Sequence, residues 1–168
     1  MAKTAKGLEI DEHRAHQRRE WLIERIGWGV MAALVVAALL GLFGDGPIGE
    51  TTAGTPDALR VDYNRLQRAA APTEYRFAVH PALARDGRLR LRVEDRLLEE
   101  AHLRAIVPEP ESATAGPGYT EFAFAVDPGS DTPVRIVFDL EPTTFGRVTG
   151  RVAAEGAPPV VIDQFVFP

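Results

Sequence analysis

The feature that most constrains this chain is an uncharged, apolar stretch near its N-terminus. Residues 26–43 carry no charged side chain, and Arg25 and Asp45 bound an uncharged run of nineteen residues that includes Gly44. A helix rises about 1.5 Å per residue, so this run would span roughly 28 Å, close to the thickness of the hydrocarbon core of a bilayer. In lipid, a helix satisfies its own backbone hydrogen bonds. The sequence therefore predicts a single transmembrane α-helix over residues 26–44.

Two other structures use apolar runs of this kind. A cleaved signal peptide has a short leader and an apolar core of about 7–15 residues, whereas twenty-five residues precede this longer run. The best small-residue cleavage site, ending at Ala53, lies ten residues beyond Phe43. A helix buried in a protein core is disfavoured, because the chain that follows has the pattern of strands. We therefore predict a permanent membrane anchor, with the lipid bilayer as its partner.

Lysine and arginine are distributed unequally on the two sides of the predicted span. The leader, residues 1–25, holds six basic residues and five acids, whereas residues 45–59 hold no lysine or arginine. Because basic residues close to a span favour the cytoplasmic side, we expect a cytoplasmic N-terminus and a periplasmic or extracellular C-terminal domain. The predicted location is the inner (cytoplasmic) membrane. The leader should be partly helical, with one helix from Asp11 to Phe43, because Gly and Pro are absent between Asp11 and Ile26.

Beyond the span the pattern of the chain changes from helical to extended. Residues 45–58 are predicted to form a tether, and from residue 59 apolar residues alternate with polar ones, as in strands with one buried face. About eight strands separated by turn sequences predict an extracytoplasmic all-β domain over residues 59–168, an antiparallel β-sandwich of immunoglobulin-like type. A small β-barrel is the alternative. A helical turn is expected at residues 94–100. The expected core residues are Phe77, Leu91, Phe124 and Phe138, with Phe165 and Phe167 from the last strand.

Small side chains recur every four residues within the predicted span, at Gly29, Ala33, Ala37 and Gly41. Residues four apart lie on one face of a helix, and a face of small side chains lets another helix approach closely in lipid. We therefore predict that this helix stripe packs against other transmembrane proteins, while Leu34 faces lipid. The alternative is that the stripe only reflects an alanine-rich composition.

An arginine row, Arg88, Arg90 and Arg92, alternates with apolar residues and should project from one face of a strand. Guanidinium groups bind carboxylates and phosphates well, so the row is a candidate anion or partner surface. The alternative is a solvated sheet face in which these arginines pair locally with Glu74 or Glu94. A loop expected at residues 108–118, rich in Pro and Gly, is a second candidate site.

Residues that commonly perform catalysis are sparse. The chain has no cysteine, and only His80 and His102 lie beyond the leader, which is too few for a metal site of converging ligands. Its only serines are Ser112 and Ser130, neither of them in a G-x-S-x-G motif, and phosphate-cradling and dinucleotide motifs are absent. We expect no catalytic site, no metal and no cofactor.

The charge balance of the predicted domain argues against a nucleic-acid partner. Thirteen arginines face nineteen acids after residue 44, so the domain is acidic rather than basic. Together these features predict a membrane-anchored structural or interaction protein, not an enzyme. The helix stripe and the tether favour an accessory component of a larger membrane complex, with the β-sandwich docked on its outer face. The alternative is a membrane-tethered ligand-binding module that uses the arginine row or residues 108–118.

Overall fold

A computed structural model describes residues 13–39, 49–127 and 129–168, and the side chains from residue 21 onward. The chain divides into two compact units, residues 1–40 and residues 41–168. The first contains a long helix, α1, which runs over His13–Leu39. The second contains a β domain with one short helix.

Helix α1 contains an apolar segment, Trp21–Leu39, which by length and composition is sufficient to cross a membrane. None of this nineteen-residue segment is buried inside the fold. Leucine and alanine, which favour helices, make up much of it. The helix therefore covers residues 26–39 of the predicted span. The predicted start at Asp11, the end at Phe43 and the tether residues 45–48 lie outside the described residues.

Within its described residues the β domain has eleven strands, a 3₁₀ turn (Pro81–Leu83) and one α-helix. In chain order these strands and the helix are β1 (Glu50–Gly54), β2 (Leu59–Asn64), β3 (Leu66–Arg68), β4 (Thr73–Val79), β5 (Arg88–Glu94), α2 (Asp95–Glu99), β6 (Ala101–Val107), β7 (Ser112–Gly116), β8 (Tyr119–Ala125), β9 (Val134–Pro142), β10 (Gly146–Ala154) and β11 (Val160–Phe167).

The strands form two sheets that enclose one core. The five-stranded sheet has the order β1-β2-β4-β9-β6, and the six-stranded sheet has the order β3-β11-β10-β5-β8-β7. The predicted all-β sandwich is confirmed at this level, and two separate sheets replace the alternative of a closed barrel. A purely antiparallel arrangement was wrong, because β3 runs parallel to β11. The immunoglobulin-like type stays a prediction.

Three strands were absent from the predicted pattern. β1 lies in the segment predicted as a tether, β7 lies in the predicted loop at residues 108–118, and β3 has only three residues. β1 and β7 are edge strands with the sequences E-T-T-A-G and S-A-T-A-G. An edge strand that buries little surface needs no alternating large apolar residues, so periodicity carries little signal there.

The core lies between the two sheets and is built from the alternating apolar side chains. Phe77, Leu91, Phe124 and Phe138 are almost fully buried, as predicted. The ring of Phe138 meets Phe77 edge-to-face at 5.2 Å and Phe122 at 5.1 Å between centroids. Because β9 and β8 belong to different sheets, the contact with Phe122 joins the two layers, and such pairs add about 0.5–1.5 kcal/mol beyond burial.

The prediction for the last strand was wrong in register. Ile162, Gln164 and Val166 of β11 are buried, whereas Phe165 is 50% exposed and Phe167 is only partly buried. The run V-V-I-D-Q-F-V-F is nearly continuous in apolar residues, so its alternation does not tell which face is inside. Pairing with β10 sets the face, since Ile162 lies opposite Gly150 in the middle of the sheet.

The helical turn expected at residues 94–100 is confirmed as α2. Its Leu97 is almost fully buried and rests on Gly150 of β10. A Cβ atom at position 150 would collide with the Leu97 side chain, so glycine is what allows α2 to approach the sheet this closely.

Candidate interaction surfaces

The helix stripe lies on α1 as far as the described residues extend. Gly29, Ala33 and Ala37 are spaced four apart within the helix, and Gly41 lies outside the described residues. Among the described residues, nothing lies within 4 Å of the position that a Cβ would take on Gly29. Leu34 is also exposed. Packing of the stripe against another transmembrane helix stays a prediction.

An aromatic–cation pair marks the start of the apolar segment. The guanidinium carbon of Arg25 lies 4.2 Å from the centroid of the Trp21 ring, one helical turn away. A cation over an indole ring is attracted by the negative face of the ring. Tryptophan rings and the charged ends of long side chains are both typical of the headgroup region of a membrane. The sequence pattern did not pair these two residues.

The arginine row lies on β5, an interior strand of the six-stranded sheet between β10 and β8. Leu89, Leu91 and Val93 are fully buried, so the arginines project from the outer face. Each of them pairs with a glutamate that is distant in sequence. The three pairs are Arg88–Glu111, Arg90–Glu155 and Arg92–Glu121, with nitrogen–oxygen distances of 2.9, 3.0 and 2.7 Å.

The local ion pairs suggested as an alternative were wrong. Glu74 pairs with Arg76, and Glu94 lies nearest Arg151, whose backbone N–H donates to it at 2.8 Å. The register of the sheet gives the reason, because Arg92 lies directly opposite Glu121 on β8. The hydrogen bond to this carboxylate raises the pKa of Arg92.

The arginine row is therefore a charge-compensated surface rather than an open anion site. A shallow depression of about 310 Å³ at the row is lined by carboxylates as well as guanidinium groups. Exposed ion pairs of this kind contribute only about 0–1 kcal/mol each to stability. An anionic ligand would have to displace the glutamates, whereas a protein surface carrying both signs of charge could exchange partners with them.

The other candidate residues are not brought together into a site. Residues 112–116 form an edge strand, so the loop predicted at residues 108–118 was wrong over this part, and a binding role for it stays a prediction. His80 Nδ1 accepts a hydrogen bond from the Ala82 N–H at 3.2 Å and caps the 3₁₀ turn, while His102 is exposed on β6. Ser130 Oγ accepts from the Thr132 N–H. Among the described residues no group of three or more His, Asp or Glu side chains could hold a metal ion.

A surface that sequence reasoning missed lies where the chain enters the β domain. We call it the proximal end, comprising residues 65–72, 143–147 and 163–167. Gly49 is held there, because its carbonyl accepts from the Arg65 N–H at 2.8 Å. The Ala69 N–H donates to Phe167 O and the Ala70 N–H donates to Pro142 O, so the turns after β3 and β9 meet beside the last strand.

Aromatic and basic side chains are exposed together at the proximal end. Phe145 is 68% exposed in the turn between β9 and β10, and Phe165, which lies opposite Arg147 in the sheet, is 50% exposed. Arg147 is paired with Asp163 at 2.6 Å, and this hydrogen bond lowers the pKa of that carboxyl. A depression of about 300 Å³ next to them is lined by Arg65, Leu66, Arg147, Asp163, Gln164 and Phe165. Exposed phenylalanine was the missed signal, because Phe165 was predicted to be core.

Comparison with known proteins adds one structural likeness. No protein-family model matches the chain, and no curated protein matches it in sequence. Among solved structures, a cohesin module from the Clostridium perfringens ATCC13124 family 33 glycoside hydrolase is similar, with 13% identity and a TM-score of 0.43. The match covers 69% of this chain and 98% of that module. At this level the likeness carries no inference about function.

Proposed function

We propose that this protein is a single-pass membrane protein whose β-sandwich serves as an interaction module outside the cytoplasm. It acts as an accessory component of a larger membrane complex rather than as an enzyme. The N-terminus lies in the cytoplasm, α1 crosses the inner membrane, and the sandwich docks on the outer face of the complex.

The observation that carries the proposal is an apolar helix that contributes no residue to the core cluster of the β domain. The segment Trp21–Leu39 is nineteen residues long and unburied, while the core cluster of the β domain is formed by residues from 59 onward. An exposed apolar helix of this length is stable in lipid and unfavourable in water. The β domain has a core of its own, so we assign the exposed apolar surface of Trp21–Leu39 to contact with lipid.

An interaction role fits the surfaces of the sandwich better than ligand binding does. Of the two sites considered for a ligand-binding module, the arginine row is compensated by glutamates and residues 112–116 form an edge strand, so neither favours that alternative. A surface of alternating charges suits a partner protein of complementary pattern. We assign no nucleic-acid partner, because the domain is acidic overall.

The helix stripe gives the test of the complex. Ala33→Leu and Ala37→Leu keep the helix apolar and should preserve membrane insertion, but they place bulk on the face proposed to contact another helix. Leu34→Ala is the matched control on another face. The measurement is the amount of partner protein that co-purifies from mild detergent at equal membrane abundance. Equal recovery with all three variants, or no partner with the unaltered chain, would refute the proposed packing.

The orientation has an independent test. A reporter that is active only outside the cytoplasm, fused after Pro168, should be active in intact cells, because the basic residues flank the N-terminal side of the span. Activity of a cytoplasm-only reporter at the same position would reverse the assignment.

A further inference from the structure

We propose that the proximal end of the β-sandwich binds the surface of an anionic phospholipid bilayer, with Phe145 entering the headgroup region and Arg65 and Arg68 contacting lipid phosphates. This inference rests on the proposed role of α1 as a membrane anchor. It concerns a separate surface, the two turns and the end of β11 defined above.

The first argument is apolar exposure. Phe145 is 68% exposed at the tip of a turn, where Gly146 adopts a φ of 103°. The turn after β3 is uncharged between Arg68 and Thr73, with the sequence Ala-Ala-Ala-Pro. An aromatic ring projecting from uncharged turns loses contact with water when it enters a membrane interface, which stabilises binding.

The second argument is the distribution of arginines without partners. Ten arginines of the β domain form ion pairs with carboxylates. Within the part of the chain that the structure describes, Arg65, Arg68 and Arg135 have no carboxylate at ion-pair distance, and the first two are exposed at the proximal end. Asp163, beside Arg65, is paired with Arg147, and the positive charge of Arg65 also lowers the pKa of this carboxyl.

The charges at this end suit an anionic surface. Basic side chains close to an anionic membrane are attracted by its negative surface potential. Glu100, whose backbone carbonyl accepts from the Thr143 N–H, is an acid beside the Phe145 turn, and its carboxylate is paired with Arg96 at 3.2 Å. Zwitterionic lipid offers phosphate groups but no net negative potential, so it should bind the proximal end more weakly.

The third argument is the point at which the chain enters the domain. The Gly49 carbonyl accepts from the Arg65 N–H at 2.8 Å, so the described part of the β domain begins at the proximal end. The opposite end of the sandwich, where Thr132 precedes β9, is separated from the proximal end by a nine-residue strand.

The experiment uses the full chain, which contains no cysteine, so single cysteines can be labelled selectively. Thr144→Cys, in the Phe145 turn, and Thr132→Cys, at the opposite end, are each labelled with an environment-sensitive nitrobenzoxadiazole dye. Both are incorporated into nanodiscs of phosphatidylcholine alone or mixed with phosphatidylglycerol. We expect a blue shift of emission at position 144 in the anionic discs, a smaller shift in the neutral discs, and no shift at position 132.

Substitutions in the labelled protein distinguish the loss of the proposed lipid contacts from a general effect of reversing an exposed charge. Arg68→Glu combined with Phe145→Ser should abolish the shift, whereas Arg135→Glu, at an exposed arginine without an ion pair near the other end of β9, should leave it unchanged. An equal loss with Arg135→Glu would overturn the proposal, as would equal shifts in neutral and anionic discs.

The remaining outcomes distinguish this proposal from the proposed function. Failure of the unaltered chain to co-elute with discs would refute the anchor and the bilayer contact together. Incorporation without any shift at position 144 would refute only the bilayer contact. A shift that requires a co-purified protein would assign the proximal end to that protein instead.

Discussion

At the residue scale, Gln164 shows how one buried amide connects the two sheets. It is only 4% exposed although its neighbours on the inner face of β11 are apolar. Its Oε1 accepts hydrogen bonds from the Tyr75 hydroxyl at 2.9 Å and from Gln67 Nε2 at 3.1 Å. Tyr75 belongs to the five-stranded sheet and the other two residues to the six-stranded sheet. A buried acceptor with two donors is satisfied, which is why a polar residue is tolerated here.

We expect Gln164→Leu to destabilise the domain, because the buried Tyr75 hydroxyl then has no acceptor. A buried donor left unsatisfied costs about 1–3 kcal/mol. Tyr75→Phe is the control, since it removes the donor together with the need for an acceptor and should cost only about 1 kcal/mol. Urea unfolding of residues 49–168 measures both. A leucine variant as stable as the unaltered domain would show that the amide contributes nothing.

Tyr75 should also make the domain sensitive to alkaline pH. Burial raises the pKa of its hydroxyl well above the usual value, and the hydrogen bond to Gln164 opposes this shift only in part. In the unfolded chain the hydroxyl ionises at about pH 10, so unfolding releases a proton above that pH. Its contribution to stability is therefore fully present below about pH 10 and is lost as the pH rises further, by up to about 1.4 kcal/mol per pH unit.

The measurement is the free energy of unfolding as a function of pH. Above about pH 10 the curve for the unaltered domain should fall more steeply than the curve for Tyr75→Phe, which has no hydroxyl to ionise at this position. Parallel curves would contradict the assignment of this pH dependence to Tyr75.

At the element scale, the position of α2 depends on one glycine in the neighbouring strand. Leu97 fills the space above Gly150, and a side chain there would collide with it. Gly150→Ala should therefore cost about 1–3 kcal/mol through overpacking, and Leu97→Ala about 2–5 kcal/mol through lost burial. The double variant should be less destabilised than the sum, because the smaller residue 97 leaves room for the new methyl group. Additive losses in a thermal or urea unfolding experiment would show that the two positions do not interact.

At the scale of the whole molecule, the β domain should fold without α1. Its core cluster is formed by residues from 59 onward, and a chain of this length can bury a sufficient core. We expect residues 49–168 to be folded and rich in strands. Circular dichroism checks this, and a spectrum dominated by helix or disorder would contradict it.

Two phenylalanines test where this core lies. Phe138→Ala should cost about 3–5 kcal/mol, because the ring is fully buried between the sheets. Phe165→Ala should cost much less, because that ring is half exposed at the proximal end. Equal losses of unfolding free energy would place Phe165 in the core after all.

The parts of the fold that were predictable are those encoded in neighbouring residues. The apolar segment of α1 and the alternation that buries Phe77, Leu91, Phe124 and Phe138 depend on a period of helix or strand within one segment. The short edge strands β1 and β7 lack such a period, so the sequence pattern assigned them to a tether and a loop. For the arginine row, the sequence predicted correctly that the three side chains project from one face of a strand. It did not predict which glutamates pair with them.

The sequence by itself determined an apolar helix followed by an all-β domain, because hydrophobic periodicity is a local property that burial requires of each element. Tertiary structure alone decided which carboxylates meet Arg88, Arg90 and Arg92, which face of β11 carries Phe165, and which turns meet at the proximal end. These depend on strand order and register, which bring together residues far apart in the chain: Arg92 lies opposite Glu121, and Phe165 opposite both Arg147 and Leu66. Register is set by the packing of the complete core, and a shift of one residue would exchange the inner and outer faces of a strand.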